Sequence, residues 1–229
     1  MEQGGKVIYL VANWKSHKTL AEALSWLEAM KDWKGNEETK VIVCPPLPYL
    51  RSMHQVIMHY SLPLELGTQD ISPFPLGAYT GAVSAAMVKE WVTYAIVGHS
   101  ERRHYFHETD QEVANKVTQC LDNGLRPILC IDEPYLESQI NTLNDIPKEK
   151  LIVAYEPLAA IGSGNPDTPE HAQAVAERVK AAIRADVPVL YGGSVTVENI
   201  RAYSVMPAIN GVLVGGASLN PEVWKALAG

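Results

Sequence analysis

Glu156 follows the run Leu151-Ile-Val-Ala-Tyr155 and precedes Pro157, so its carboxylate leaves an apolar strand at the strand's C-terminal end. Burial raises a carboxylate's pKa and makes it a stronger base, able to take a proton from carbon beside a carbonyl; a salt-bridged strand-end glutamate is the plainer reading. His99 ends a second such run, in Val97-Gly-His-Ser-Glu101. Ser100 is placed to cap a short helix there, and a helix N-terminus disfavours an imidazolium, leaving a neutral hydrogen-bond donor rather than a cation. A hydrogen-bonded core histidine is the alternative.

Asn13 and Lys15 end the first apolar run. An isolated lysine is most often just solvated, but at the end of a strand in a chain of net charge -7 it is a natural anchor for an anionic substrate and for negative charge developing on oxygen. Two glycine-rich turns, Tyr191-Gly-Gly-Ser194 and Gly211 to Gly216 ending in Gly215-Gly216, let backbone N–H groups approach phosphate oxygens, unless they are turn chemistry alone. Between them Pro157, Leu158, Ala159, Ala160, Ile161, Gly162, Ser163 and Gly164 form a segment that is apolar where a surface loop would be polar. Proline at one end and glycines at the other make it a lid that closes over a site and expels water. Gln69 completes the polar strand ends. His104 and His107 stand at i, i+3 with no third ligand at a strand end, so no metal is expected.

Eight short apolar runs must position these residues: Lys6 to Asn13, Lys40 to Cys44, Leu64 to Gly67, Tyr94 to Gly98, Pro127 to Ile131, Leu151 to Tyr155, Val187 to Tyr191 and Val212 to Val214. Their continuous apolar character fits strands buried on both faces. Helical spacing lies between them. Leu20, Ala23, Leu24 and Leu27 make one face, and Val113, Val117, Cys120 and Leu121 another. Thr109 with Glu112 reads as a capping box and Gly124 as a helix stop, while Thr168-Pro169 and Asn220-Pro221 place a cap before an N1 proline.

Eight units share 229 residues at about 29 each, close to the roughly 27 of one strand, one helix and two short connections. No linker or composition shift divides the chain, so residues 1–229 are read as one α/β domain, a single (β/α)8 barrel whose active site lies at the C-terminal ends of the strands. An open doubly wound sheet is the alternative, without the GxGxxG that would favour it. The connection from Asp70 to Thr80, stiffened by Pro73 and Pro75, is longer than usual and reads as a projecting contact loop, or else an ordinary surface loop.

Composition removes other classes. With 47% hydrophobic residues the chain is not disordered, and its acidic balance argues against nucleic acid. No apolar run reaches the 18 or so residues of a membrane span. Three scattered cysteines fit a reducing, cytoplasmic compartment.

Together these residues resemble the triosephosphate isomerase family. The matching runs are Asn13-Trp-Lys15, Gly77-Ala-Tyr-Thr-Gly81, Val97-Gly-His-Ser-Glu-Arg-Arg103, Ala154-Tyr-Glu-Pro157, Ala160-Ile-Gly-Ser-Gly164, Tyr191-Gly-Gly-Ser-Val195 and Gly215-Gly-Ala-Ser-Leu219, in family order over nearly the whole chain. The resemblance implies a TIM barrel that interconverts dihydroxyacetone phosphate and glyceraldehyde 3-phosphate through an enediol, without metal or organic cofactor. It implies that Glu156 abstracts and returns the carbon-bound proton, that neutral His99 polarises the carbonyl and shuttles protons between the two oxygens, and that Asn13 and Lys15 support the substrate oxygens. Gly162, Ser194, Gly215 and Gly216 would hold the phosphate, with Glu101 beside Lys15. It further implies a homodimer in which the third loop inserts into a partner.

The chain departs from the family pattern at Ala82, where Thr-Gly-Glu is usual, at Leu158-Ala159 in place of Val-Trp, and at Asp132 in place of the glycine of Cys-Ile-Gly-Glu. Its fifth unit is short, which leaves a tetramer open. Two other functions stay open at this stage: aldol cleavage through a Schiff base, which needs a lysine deep in the barrel mouth, and a non-catalytic phosphate-binding homologue with altered lid and interface.

Overall fold

The computed structural model describes residues 7–143, 146–160 and 165–229. Eight parallel strands close in sequence order into a barrel: β1 (Ile8–Asn13), β2 (Thr39–Cys44), β3 (Glu65–Thr68), β4 (Tyr94–Val97), β5 (Arg126–Ile131), β6 (Ile152–Tyr155), β7 (Val189–Tyr191) and β8 (Gly211–Val214). Closure is by β1 against β8, with Tyr9 opposite Gly211. The all-parallel, in-order barrel is the (β/α)8 architecture expected, and it excludes the open sheet.

Strand alternation divides the core into two layers. Val11, Ile42, Cys44, Ile96, Ile128, Cys130, Ile152, Ala154, Leu190 and Leu213 fill the barrel interior. The intervening positions, among them Leu10, Ala12, Val41, Val43, Leu129, Ile131, Val153 and Tyr155, pack outward under the helices. Both faces of each strand are thereby dry, which is why the strands read as unbroken apolar runs.

The helices are α1 (Leu20–Ala29), α2 (Leu50–Tyr60), α3 (Ala85–Val88), α4 (Ser100–Tyr105), α5 (Asp110–Asp122), α6 (Leu136–Asn141), α7 (Pro169–Ile183), α8 (Ile200–Ser204) and α9 (Pro221–Ala228). Thr109 and Glu112 close the capping box on α5, and Thr168 and Asn220 cap α7 and α9 ahead of their prolines. Gly124 follows α5 at φ +76°. The face of α1 is rotated from the one expected: Ala23, Trp26 and Leu27 are buried, whereas Leu20 is 40% exposed. Trp26 sets that rotation, packing edge-on against buried Trp14 with ring centroids 5.2 Å apart. In the fifth unit α6 has six residues.

The 70–80 connection carries Phe74 stacked on Tyr79 at 4.5 Å, and both rings are exposed with Leu76. Its base is held by charge. Asp70 pairs with Arg102 of α4 at 2.8 Å and with Lys116 of α5 at 2.5 Å, and Glu108 also pairs with Lys116. Lys116 and Glu108 are buried, so each depends on its partners. Ala82 contributes no carboxylate here; Asp70 and Glu108 supply those that Arg102 pairs with.

Candidate active site

The barrel mouth brings Asn13, Lys15, His99, Glu156, Ser194, Gly215 and Gly216 around one cavity of about 320 Å³, closed on the far side by Gly192, Gly193 and Thr196. These residues come from the ends of β1, β4, β6, β7 and β8. Alternation explains the floor: Val11 faces inward, so Asn13 does, and Ala154 faces inward, so Glu156 does.

After β1 the chain bends sharply, with Lys15 at φ +53°, an uncommon conformation for a residue with a side chain. Two side chains hold it there. The Lys15 N–H donates to Asn13 Oδ1 at 3.1 Å, and Gln69 Nε2 donates to the Lys15 carbonyl at 2.9 Å and to the Cys44 carbonyl at 2.9 Å. The bend presents the ammonium to the cavity, where it pairs with Glu101 Oε1 at 2.7 Å.

β4 is followed by Gly98, whose φ of +70° and whose closeness to Val113 require glycine. The turn delivers His99 as the N-cap of α4. Ser100, expected as the cap, is instead the first helical residue, and the imidazole takes the capping role: Glu101 N–H donates to His99 Nδ1 at 3.2 Å. That bond leaves Nε2 as the nitrogen bearing hydrogen in the neutral ring. Nε2 lies 2.8 Å from Glu156 Oε1, and the Ser100 N–H donates to Glu156 Oε2 at 2.8 Å.

Both pKa expectations change as a result. Burial pushes Glu156 up, but the His99 ring and the Ser100 N–H and hydroxyl together outweigh it, and the carboxyl lies below its ordinary value. Burial pushes His99 down, but the Glu156 charge, with Glu101 behind it, raises the imidazole above its ordinary value. Both shifts belong to the pair in contact. With Glu156 turned away, burial and the Glu101 N–H would favour neutral His99.

On the opposite wall Ser194 Oγ donates to the Ala160 carbonyl at 2.6 Å, joining the turn after β7 to the chain that follows Glu156. Ile161, Gly162, Ser163 and Gly164 lie outside the described residues, as does the phosphate contact expected of Gly162. Leu158 is exposed and Ala160 buried. Ala159 shares a cavity of about 690 Å³ with Tyr155, Pro166 and His171. Among the described residues no three His, Cys, Asp or Glu side chains group as metal ligands. The contacts of Ser100 with Glu156 and of Gln69 with the Lys15 and Cys44 carbonyls join residues far apart in sequence; strand-end placement was the signal for Gln69, and the expected helix start for Ser100.

The family profile of triosephosphate isomerase matches residues 8–229. This chain belongs to the triosephosphate isomerase family. It is 38% identical to the triosephosphate isomerase of Chlamydia muridarum over 96% of this chain and 89% of that protein. It is 39% identical to that of Trichodesmium erythraeum over 95% and 96%, and 38% identical to that of Thermus thermophilus over 96% and 97%. Family membership makes the chain one of a group of isomerases on a TIM barrel. Among the described residues no helix is long and apolar enough to cross a membrane.

Proposed function

We propose that this chain interconverts dihydroxyacetone phosphate and D-glyceraldehyde 3-phosphate, with Glu156 as the base and an enediol as intermediate. The observation that carries this reading is the meeting of Glu156, His99 and Lys15 with the glycine turns after β7 and β8 on one cavity. The substrate phosphate sits against the N–H groups of the Ser194, Gly215 and Gly216 turns, joined by Gly162. Its carbonyl oxygen faces Lys15 and His99 Nε2.

The base must first exchange partners, because both of its oxygens are engaged by His99 and Ser100. Glu156 then takes a proton from the carbon beside the carbonyl, and the C–H electrons become the enediol double bond. His99 Nε2–H donates to the oxygen that gains charge, and Lys15 stabilises that charge. His99 gives its Nε2 proton to that oxygen and takes one back from the neighbouring hydroxyl, and Glu156 returns its proton to the neighbouring carbon as the new carbonyl forms, giving the isomer. Segment 157–164 acts as the lid that keeps water from the intermediate. No cofactor or metal enters.

The relatives are named for this reaction, and β6 offers Glu156 where a Schiff-base enzyme would need lysine. The test is isomerisation of glyceraldehyde 3-phosphate with Glu156→Gln as control. Turnover lost in the control is expected. A folded wild-type chain without turnover refutes the reading, and aldol cleavage with borohydride trapping would transfer it to the Schiff-base class.

We infer a homodimer built on the 70–80 loop, because Phe74, Leu76 and Tyr79 are exposed together at its tip. A single mass of one chain in sedimentation at several concentrations would refute it, and a fourfold mass would show the tetramer. The three cysteines are free and buried, in keeping with a cytoplasmic setting.

A further inference from the structure

β5 and β6 pair with Ile131 opposite Tyr155, and the Glu156 N–H donates to the Ile131 carbonyl at 2.8 Å. Asp132 continues β5 in extended conformation, at φ -105° and ψ 141°. The next pair in register is therefore Asp132 beside Glu156. Inward positions run Ile128, Cys130 on one strand and Ile152, Ala154 on the other, so 132 and 156 are the next inward positions of both. The two carboxyl groups are neighbours in one layer of the mouth.

Asp132 is 7% exposed. It lines a cavity of about 540 Å³ on the opposite side of Glu156 from the glycine turns. Its Oδ2 is buried and has no hydrogen-bond partner among the described residues, an arrangement that costs stability unless it serves something else. Among the described residues no cation forms an ion pair with it. Arg103 of α4 gives Nη1 to Asp110 and Nε to the Gly98 carbonyl, while its buried Nη2, in the same cavity, acts on Asp132 only through its charge, a smaller influence than burial. Glu133, on the same turn, is paired with Arg178 and is a like charge. Cys130 below is a thiol pushed up by burial and by Glu156, Tyr155 on β6 is likewise held neutral, and Lys15, Glu101 and His104 share the cavity. His99 faces Glu156 from the other side.

We infer that Asp132 is a positioning residue for the reaction: its carboxylate, beside Glu156 in the same layer, strengthens Glu156 as a base by like-charge repulsion once Glu156 turns from His99 to substrate. This rests on Glu156 being the base. Burial, with Glu156 and Glu133 adding to it, raises the Asp132 pKa against the Glu133 N–H and Arg103, whereas Glu156 is lowered. On acidification Asp132 takes a proton, the repulsion goes, and Glu156 facing substrate becomes a weaker base.

The test is the pH profile of kcat and KM for wild type, Asp132→Asn and Asp132→Gly. Asp132→Asn keeps the shape and loses the charge; Asp132→Gly removes the side chain without adding a buried amide, so it gives an independent comparison. Both variants are expected to lose about threefold to tenfold in kcat near pH 8, with KM within about twofold, and to converge on wild type at acid pH. The wild-type acid limb falls in two steps and those of the variants in one. Superimposable profiles overturn the inference, as does a loss that is constant with pH or confined to Asp132→Gly. A wild type lacking isomerase activity refutes the Glu156 reading as well, while wild-type activity abolished by Glu156→Gln with no Asp132→Asn effect overturns this inference alone.

Discussion

His99 Nε2 and Glu156 Oε1 lie 2.8 Å apart, both side chains almost wholly buried. The raised imidazole adds stability that is complete below its unfolded value of 6.5 and is lost as pH rises through the folded value. The lowered carboxyl adds stability present above its unfolded value of 4.5 and lost as pH falls through the folded value. The pair therefore stabilises most between the two, in mildly acid solution. Thermal melts of wild type and His99→Gln from pH 4 to 9 are expected to differ most between about pH 5 and 6.5 and to draw together on either side. A pH-independent difference would contradict the ion pairing.

Lys15 carries the cavity's positive charge on a bend held by Asn13 and Gln69. Lys15→Ala is expected to lower kcat/KM by about 10² or more, with both substrate binding and turnover affected, as for loss of a charge stabiliser in a dry site. Steady-state kinetics and inhibition by inorganic phosphate check this. Unchanged kinetics would remove Lys15 from the site.

A Cβ on Gly192 would come within 3.0 Å of the Tyr155 carbonyl oxygen and 3.3 Å of Glu156 Cγ. Backbone cannot give way cheaply, so Gly192→Ala is expected to cost about 1–3 kcal/mol of stability. It should also displace the base, giving a fall in kcat larger than the change in KM. Denaturant titration together with kinetics separates the two effects.

Ser194→Ala removes the donor to the Ala160 carbonyl. One partly buried hydrogen bond is worth about 1 kcal/mol, so the melting point should barely move. KM is expected to rise severalfold if the turn after β7 orders the chain beyond Glu156. An unaltered KM would confine the bond to local structure.

Most of the barrel was legible because strands dry on both faces spell continuous apolar runs; β5 was read as 127–131 and is 126–131, and β6 was read one residue long. The caps on α5, α7 and α9 were equally plain, since each depends on residues within three positions. The face of α1 was not, because Trp26 is placed by a distant partner, Trp14. The site residues were legible as strand-end polar positions, but their charge states were not. Glu156 is governed by groups 56 and 57 positions away, so burial alone gives the wrong sign for it, and the helix N-terminus alone gives the wrong sign for His99. The cap at α4 was missed by one residue because an imidazole does the work usually left to serine.

Arg102 sits three residues after His99 in the helix that His99 caps, and it is also the residue that Asp70 grips at the root of the projecting loop. Buried Lys116 locks the same carboxylate from below. The root of the projecting loop and the helix capped by the imidazole are thus moored to one knot of opposite charges, so a substitution that unties Asp70 frees both at once.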